Sequence, residues 1–273
     1  MTSPFTIAFF GLPLGALCLL HDGYDLSPVT LSPVQVPGRR RLARALGTRR
    51  ILEASELGED LEGVVEAELR AARPDLLVSW FWTRKLPGEW LSLARLGGLN
   101  AHPSLLPRHR GSDPYFWAID TGDELSGATV HQLGPEYDTG DILLQEAVAV
   151  GERNAWQLAR ALDRPALRLL REAVRRFATG RAPPATPQDA ARATPAPAPS
   201  GELLRVDWRW PTVRILRRIR ALSPTPGLAL EIAGLPFFVT RAHAAPRQGG
   251  PLEPGEAAAV SYTHLTLPTI LRV

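Results

Sequence analysis

Cysteine and lysine are nearly missing from this chain of 273 residues; each occurs once, as Cys18 and Lys85. One cysteine excludes an intramolecular disulfide and any multi-cysteine zinc site. Cys18 lies in an apolar stretch, LGALCLL, where it reads as a small buried hydrophobe. With lysine scarce, positive charge rests on arginine, and 31 basic residues against 28 acidic ones leave a formal charge of +3. That bias favours an anionic partner without requiring one. No G-x-G-x-x-G follows a strand, so a dinucleotide is not indicated. No serine or cysteine sits in a nucleophile elbow, and no metal site is expected. The first apolar run is interrupted by Gly11 and Pro13, which argues against a leader or a membrane span and makes the cytoplasm the default location.

What is present alternates in period. Phe5 to Phe10 is a short apolar strand ended by Gly11, and a helix follows over 14–20, the opening of a Rossmann-like unit. A second strand is expected within 26–36 and a solvated basic helix within 38–50. A helix over 59–73 has Leu61, Val65 and Leu69 on one face, and Pro74 stops it. Residues 75–82 form a buried strand, 87–96 a short helix, and 99–101 a strand that delivers Asn100 and His102 to its carboxyl end. This alternation predicts an α/β fold with a mainly parallel sheet covered by helices. A helix over 113–120, strands over 127–133 and 142–150, and a long amphipathic helix over 154–179 complete the first domain. That helix is expected to kink or break at Pro165, with Leu158 and Leu162 buried before it and Leu167, Leu170, Val174 and Phe177 after it.

Pattern and composition divide the chain into four segments: an α/β domain over 1–180, a Pro/Ala-rich linker over 181–203, a small β-rich domain over 204–260, and a tail over 261–273. The tail (SYTHLTLPTILRV) differs in composition from everything before it and is expected not to be native, leaving the β-rich domain truncated.

Polar groups able to do proton chemistry are dense between Asn100 and Asp141. An asparagine amide can donate to a developing oxyanion, a histidine can work as acid or base near neutral pH, and an aspartate beside it can set its protonation. Asn100, His102 and Asp138 therefore suit attack by an external nucleophile on a carbonyl. By spacing alone, a strand-end cap and a tight turn remain the alternative.

The longer pattern is more specific. Asn100-Ala-His102-Pro-Ser-Leu-Leu-Pro107-Arg-His-Arg-Gly111, a helix, then Tyr137-Asp138-Thr-Gly-Asp141-Ile-Leu resemble the folate-dependent formyltransferase family. The resemblance implies a Rossmann-like catalytic domain followed by a small OB-like domain, and 10-formyltetrahydrofolate as co-substrate. It implies that Asn100 and His102 polarise the formyl carbonyl and that Asp138 sets the protonation of His102. Ser104, Leu105, Leu106 and Pro107 would contact tetrahydrofolate, with Leu86 and Asp141 lining the pterin pocket. Arg108 and Arg110 would meet the folate glutamate tail or an acceptor phosphate. The match continues through Val206-Asp207-Trp208, the Arg-Arg-Ile-Arg-Ala-Leu run and Pro226-Gly227, which implies methionyl-tRNA as acceptor. An amino sugar or another small amine is the alternative, and a folate- or RNA-binding homologue with little turnover is a third reading.

Arginines 39, 40 and 41 (Arg39, Arg40, Arg41) and Arg214, Arg217 and Arg218 are the expected nucleic-acid contacts, on a chain expected to be a monomer. His131 is expected to be an ordinary strand residue and His109 to lie in a solvated loop or touch an anion. Tyr115, Phe116 and Trp117 are expected to pack the helix, and Trp80 and Trp82 the core. The sequence departs from the family at VQVPGRRRLARALGTRR, shorter than the usual insertion there, and at Trp80-Phe-Trp-Thr-Arg84, where a small glycine-containing strand end is usual.

Overall fold

A computed structural model describes residues 4–34, 36–49, 51–232 and 235–244, together with the residue pairs 257–258 and 270–271. Seven strands form one sheet: β1 (Thr6–Gly11), β2 (Asp25–Leu31), β3 (Ile51–Glu53), β4 (Leu76–Trp80), β5 (Gly98–His102), β6 (Leu125–Gln132) and β7 (Ile142–Ala149). Their order is β3-β2-β1-β4-β5-β6-β7. The first five run parallel, and β6 and β7 are antiparallel additions. The order reverses between β1 and β4, and in open α/β sheets the crevice outside the carboxyl ends at that point is where ligands bind.

Strand β1 shows how sequence builds the two layers. Successive side chains of a strand face opposite sides. Ile7 and Phe9 enter the core packed by α1 (Pro13–His21), α2 (Arg39–Leu46) and α7 (Ala155–Ala178). Ala8 and Phe10 enter the other, packed by α4 (Leu61–Ala72) and by Trp90 of α5 (Gly88–Ser92). The short helix α3 (Ala54–Leu57) only turns the chain into α4. At Gly11, φ is +139° and an added Cβ would lie 1.8 Å from the Trp80 carbonyl oxygen, so only glycine lets β1 close against β4.

Helix α7 corrects one expectation. It is continuous for 24 residues, with Pro165 buried inside it. An interior proline removes one backbone bond and costs about 3 kcal/mol. Seven buried apolar side chains on the same face, from Leu158 to Val174, offset that loss. Leu169 is buried there, whereas Leu167 and Phe177 are only partly so. Asn154 starts the helix with a reciprocal cap, accepting from the Gln157 N–H while the Gln157 side chain accepts from its own.

The Pro/Ala segment is extended, as its composition predicts, but it does not hang free. Thr186 bridges to Ile142, and residues 194–196 run beside Pro107 to Arg110 as an added strand-like strap. Composition reports that a segment lacks helix and strand signals; it does not report what the segment lies against.

Beyond the strap come α6's neighbours. Helix α6 (Pro114–Asp120) packs on α8 (Thr212–Ala221), and β8 (Leu228–Ile232) pairs with β9 (Leu235–Val239) in a hairpin. β10 (Ala257–Ala258) pairs with β11 (Ile270–Leu271). The expected non-native tail lies outside the described residues apart from that last pair.

Candidate active site

Asn100 and His102 stand two residues apart on β5, so both side chains face one side of the sheet at its carboxyl end. Asp138 comes from the turn between β6 and β7. Its backbone has φ +56°, a left-handed conformation that costs a non-glycine residue about 1 kcal/mol or more. Two residues on, a Cβ at Gly140 would lie 1.8 Å from the Gln132 carbonyl oxygen, so glycine is required for the turn to fold back onto the strand.

The side chains meet. Asp138 Oδ2 accepts from the Gly111 N–H at 3.0 Å and lies 3.4 Å from His102 Nδ1. Asp138 Oδ1 lies 3.4 Å from Asn100 Nδ2. His102 Nε2 is 2.8 Å from the His109 carbonyl oxygen, which can only accept, so Nε2 carries the proton and Nδ1 presents its lone pair toward Asp138. Burial lowers the His102 pKa, with the Asp138 charge pulling the other way, and the neutral imidazole is favoured. Burial alone would raise the Asp138 carboxyl; the neighbouring His102 and His131 and the Gly111 N–H outweigh it and bring it to about 2. The resting pair is therefore a carboxylate beside a neutral base.

His131, a residue of β6 as expected, also meets this group. Its Nδ1 donates to the Gln132 carbonyl at 2.7 Å, so its Nε2 accepts from Asn100 Nδ2 at 3.2 Å. The antiparallel register sets His131 directly opposite Asn100. His109 is likewise buried rather than solvated: its ring bonds Asp123 at 2.8 Å and its N–H donates to Thr194 Oγ at 2.9 Å. Asp123 also holds Arg108 in a forked contact.

A cavity of about 820 Å³ opens over these groups. Asn100, His102, His131 and Asp138 form one end, Leu86 and Trp82 one wall, and Ala193 to Pro197 of the strap another. That volume suits a ligand of the size of a pterin with its attached groups. Leu86 and Arg110 line it as expected, and Trp82 stands in it while Trp80 is core. Tyr115 also lines it, whereas Phe116 is fully buried and Trp117 donates its Nε1–H to the Pro197 carbonyl.

Ser104, Leu105, Leu106 and Pro107 do not line the cavity. Ser104 Oγ donates to the Arg108 carbonyl, and the Ser104 carbonyl and the Leu106 N–H both meet Thr129 Oγ. Leu105 packs at Gly127. Ser104 and Leu106 are buried and tie this loop to Thr129, whereas Leu105 and Pro107 are half-buried. Asp141 is also outside the cavity; its carbonyl accepts the Gln132 N–H at 3.0 Å and closes the turn.

The expected nucleic-acid contacts divide. Arg40 and Arg41 are exposed on α2. Arg39 pairs with Glu53 at 2.8 Å and Glu56 at 3.2 Å. Arg214 and Arg218 both bind Asp120, at 2.6 and 2.7 Å; Arg218, only 3% exposed, is structural, a correction to the sequence reading, while the Arg214 side chain remains 31% exposed. Their guanidinium groups also lie over the Trp210 ring. Arg217 packs at Gly122. Counting charge along the chain does not show which charges are already neutralised.

A carboxylate, an imidazole and an amide are thus gathered at the carboxyl end of a mainly parallel sheet. The model of the formyl transferase family matches residues 29–174, and that of its C-terminal domain matches residues 200–269. A methionyl-tRNA formyltransferase of Anaeromyxobacter dehalogenans (strain 2CP-1) is 36% identical over 93% of this chain and 85% of its own. One of Ralstonia nicotianae is 32% identical over 95% and 85%. Among solved structures, HypX from Aquifex aeolicus in complex with tetrahydrofolic acid superposes with a TM-score of 0.68 at 24% identity, covering 94% of this chain and 41% of that one. The chain thus spans about two fifths of HypX, which at that identity shows the fold alone. A sugar N-formyltransferase from Shewanella superposes at 0.65 with 14% identity, over 89% of this chain and 99% of that one. The chain belongs to the formyl transferase family, enzymes that take their formyl group from 10-formyltetrahydrofolate. Among the described residues, no group of three or more His, Cys, Asp or Glu is placed to hold a metal, and no helix is long and apolar enough to cross a membrane.

Proposed function

We propose that this enzyme passes the formyl group of 10-formyltetrahydrofolate to the amino group of methionyl-tRNA, with Asn100, His102 and Asp138 as the catalytic residues. The observation that carries the chemistry is the oriented His102–Asp138 pair at the end of the cavity, with Nε2 tied to the His109 carbonyl and Nδ1 left as the base. The folate supplies a formyl carbon bonded to a nitrogen that can leave as an amine. The amine of the acceptor attacks that carbon, and the carbonyl electrons move onto oxygen. In this reading an N–H of Asn100 donates to the charged oxygen after leaving its long 3.4 Å contact with Asp138. One such donor is typically worth about 3–4 kcal/mol. The proton released by the attacking nitrogen goes to His102 Nδ1, and the Asp138 carboxylate stabilises the imidazolium. The same proton then goes to the departing folate nitrogen as its bond to the formyl carbon breaks, and His102 returns to neutral.

Support for the tRNA acceptor comes from the similarity to relatives named for that substrate over both domains. The rival acceptor is an amino sugar, and one observation favours it: of the six arginines expected at nucleic acid, Arg214 and Arg218 are engaged by Asp120. The test is formylation of charged initiator tRNA against a panel of amino sugars, followed by loss of 10-formyltetrahydrofolate. Transfer to methionyl-tRNA is expected; transfer to amino sugars with none to tRNA overturns the acceptor.

A further inference from the structure

One polar side chain of the strap reaches both halves of the active site. Gln188 Oε1 accepts from Arg110 Nε at 3.0 Å and from the second Arg110 nitrogen at 2.7 Å. Its Nε2 donates to the carbonyl oxygens of Asp138 at 2.8 Å and Gly140 at 2.7 Å. A guanidinium can only donate and a carbonyl can only accept, so the amide fits in this orientation alone and its hydrogen-bonding capacity is filled.

The contacts fall where Asp138 most needs support. Its backbone has φ +56°, a conformation that persists in a non-glycine residue only when its surroundings impose it. Gln188 grips the carbonyl of that very residue and the one two positions on. Through Arg110 it also steadies the loop whose next residue, Gly111, donates its N–H to the Asp138 carboxylate. Backbone and side chain of Asp138 are thus anchored to one amide.

We infer that Gln188 is a positioning residue for formyl transfer, holding Asp138 at its working distance from His102; this rests on the reading of Asp138 as a member of the catalytic group. Misplacing a catalytic group by about 1 Å costs on the order of 100-fold in rate. Losing the clamp lowers kcat more than it changes KM for the folate, because the clamp acts on the reacting group rather than on the cavity wall.

The experiment compares Q188A, Q188E and D138A in the full chain by kcat, KM for 10-formyltetrahydrofolate, the acid limb of the pH–rate profile and thermal unfolding. Q188E keeps an acceptor for Arg110 and removes both donors to the turn, so it tests the clamp independently of any folding defect in Q188A. Both Gln188 variants are expected to lose ~10- to 100-fold in kcat. Their acid limb moves to lower pH, since a carboxylate that drifts away supports the His102 imidazolium less. Near-normal kcat in Q188E, with D138A inactive, overturns the inference and leaves the catalytic assignment standing. A kcat loss with an unmoved pH profile and a lower unfolding temperature assigns Gln188 a merely structural role and also overturns it. Full activity in D138A removes both the assignment and the inference.

Discussion

His102 meets two acceptors, the His109 carbonyl and the Asp138 carboxylate, with one proton at rest. Transfer needs the neutral base, and burial lowers the His102 pKa, so the acid limb of kcat is expected below the ordinary histidine value of about 6.5. A pH–rate profile checks this; a limb above 7 would contradict a buried, destabilised imidazolium. H102A is expected to lose at least ~100-fold in kcat, as general acid–base groups contribute 10²–10⁴, with its far-ultraviolet spectrum unchanged. His131 belongs to the same scale: replacing it by leucine frees the Asn100 amide to rotate, and kcat should fall while folate binding, followed by fluorescence, holds. Asn100, His102 and Asp138 were legible because they sit in a long ordered motif. His131 and Gln188 were not, because their roles depend on strand register and on where an extended segment lies, neither of which a linear pattern carries.

At the scale of elements, periodicity placed nearly every strand and helix of the first domain, since alternating two-fold and 3.6-fold patterns follow from which face is buried. At Pro165, where local propensity predicts a kink or a break, packing of the α7 face keeps the helix unbroken. The start of that helix gives a clean test. Asn154→Ala removes the oxygen that accepts the Gln157 N–H at 2.8 Å and should cost about 1 kcal/mol, read by denaturant unfolding with an unchanged m-value. The strap is the other element misread in kind. Its prolines and alanines predict a spacer, and it is instead a wall of the cavity, because a chain without its own hydrogen-bonded ladder is free to add to the edge of another.

For the whole molecule, Asp120 ties the two parts together beside the apolar cluster they share. It is 3% exposed, and four guanidinium hydrogen bonds to its carboxylate, from Arg214 and Arg218, hold its pKa low against the opposing effect of burial. A carboxylate depressed on folding stabilises above its unfolded pKa near 3.9, and that contribution is lost as pH falls through the folded value. Asp120→Ala leaves Arg218 buried without its partner and is expected to destabilise by roughly 3 kcal/mol, seen as a lower unfolding temperature and faster proteolysis after residue 203. Unchanged cleavage there would mean that the parts are held by apolar contacts alone.

Helix α6 runs from the cavity to that junction. Its first residues, Pro114 and Tyr115, line the cavity, and its last, Asp120, is gripped by α8. Seven residues at 1.5 Å each make a rod of about 10 Å with no glycine or internal proline to bend it. A load applied to the C-terminal part therefore reaches the cavity wall along a stiff strut, and the tension at the Asp120 junction and the shape of the cavity are mechanically one adjustment.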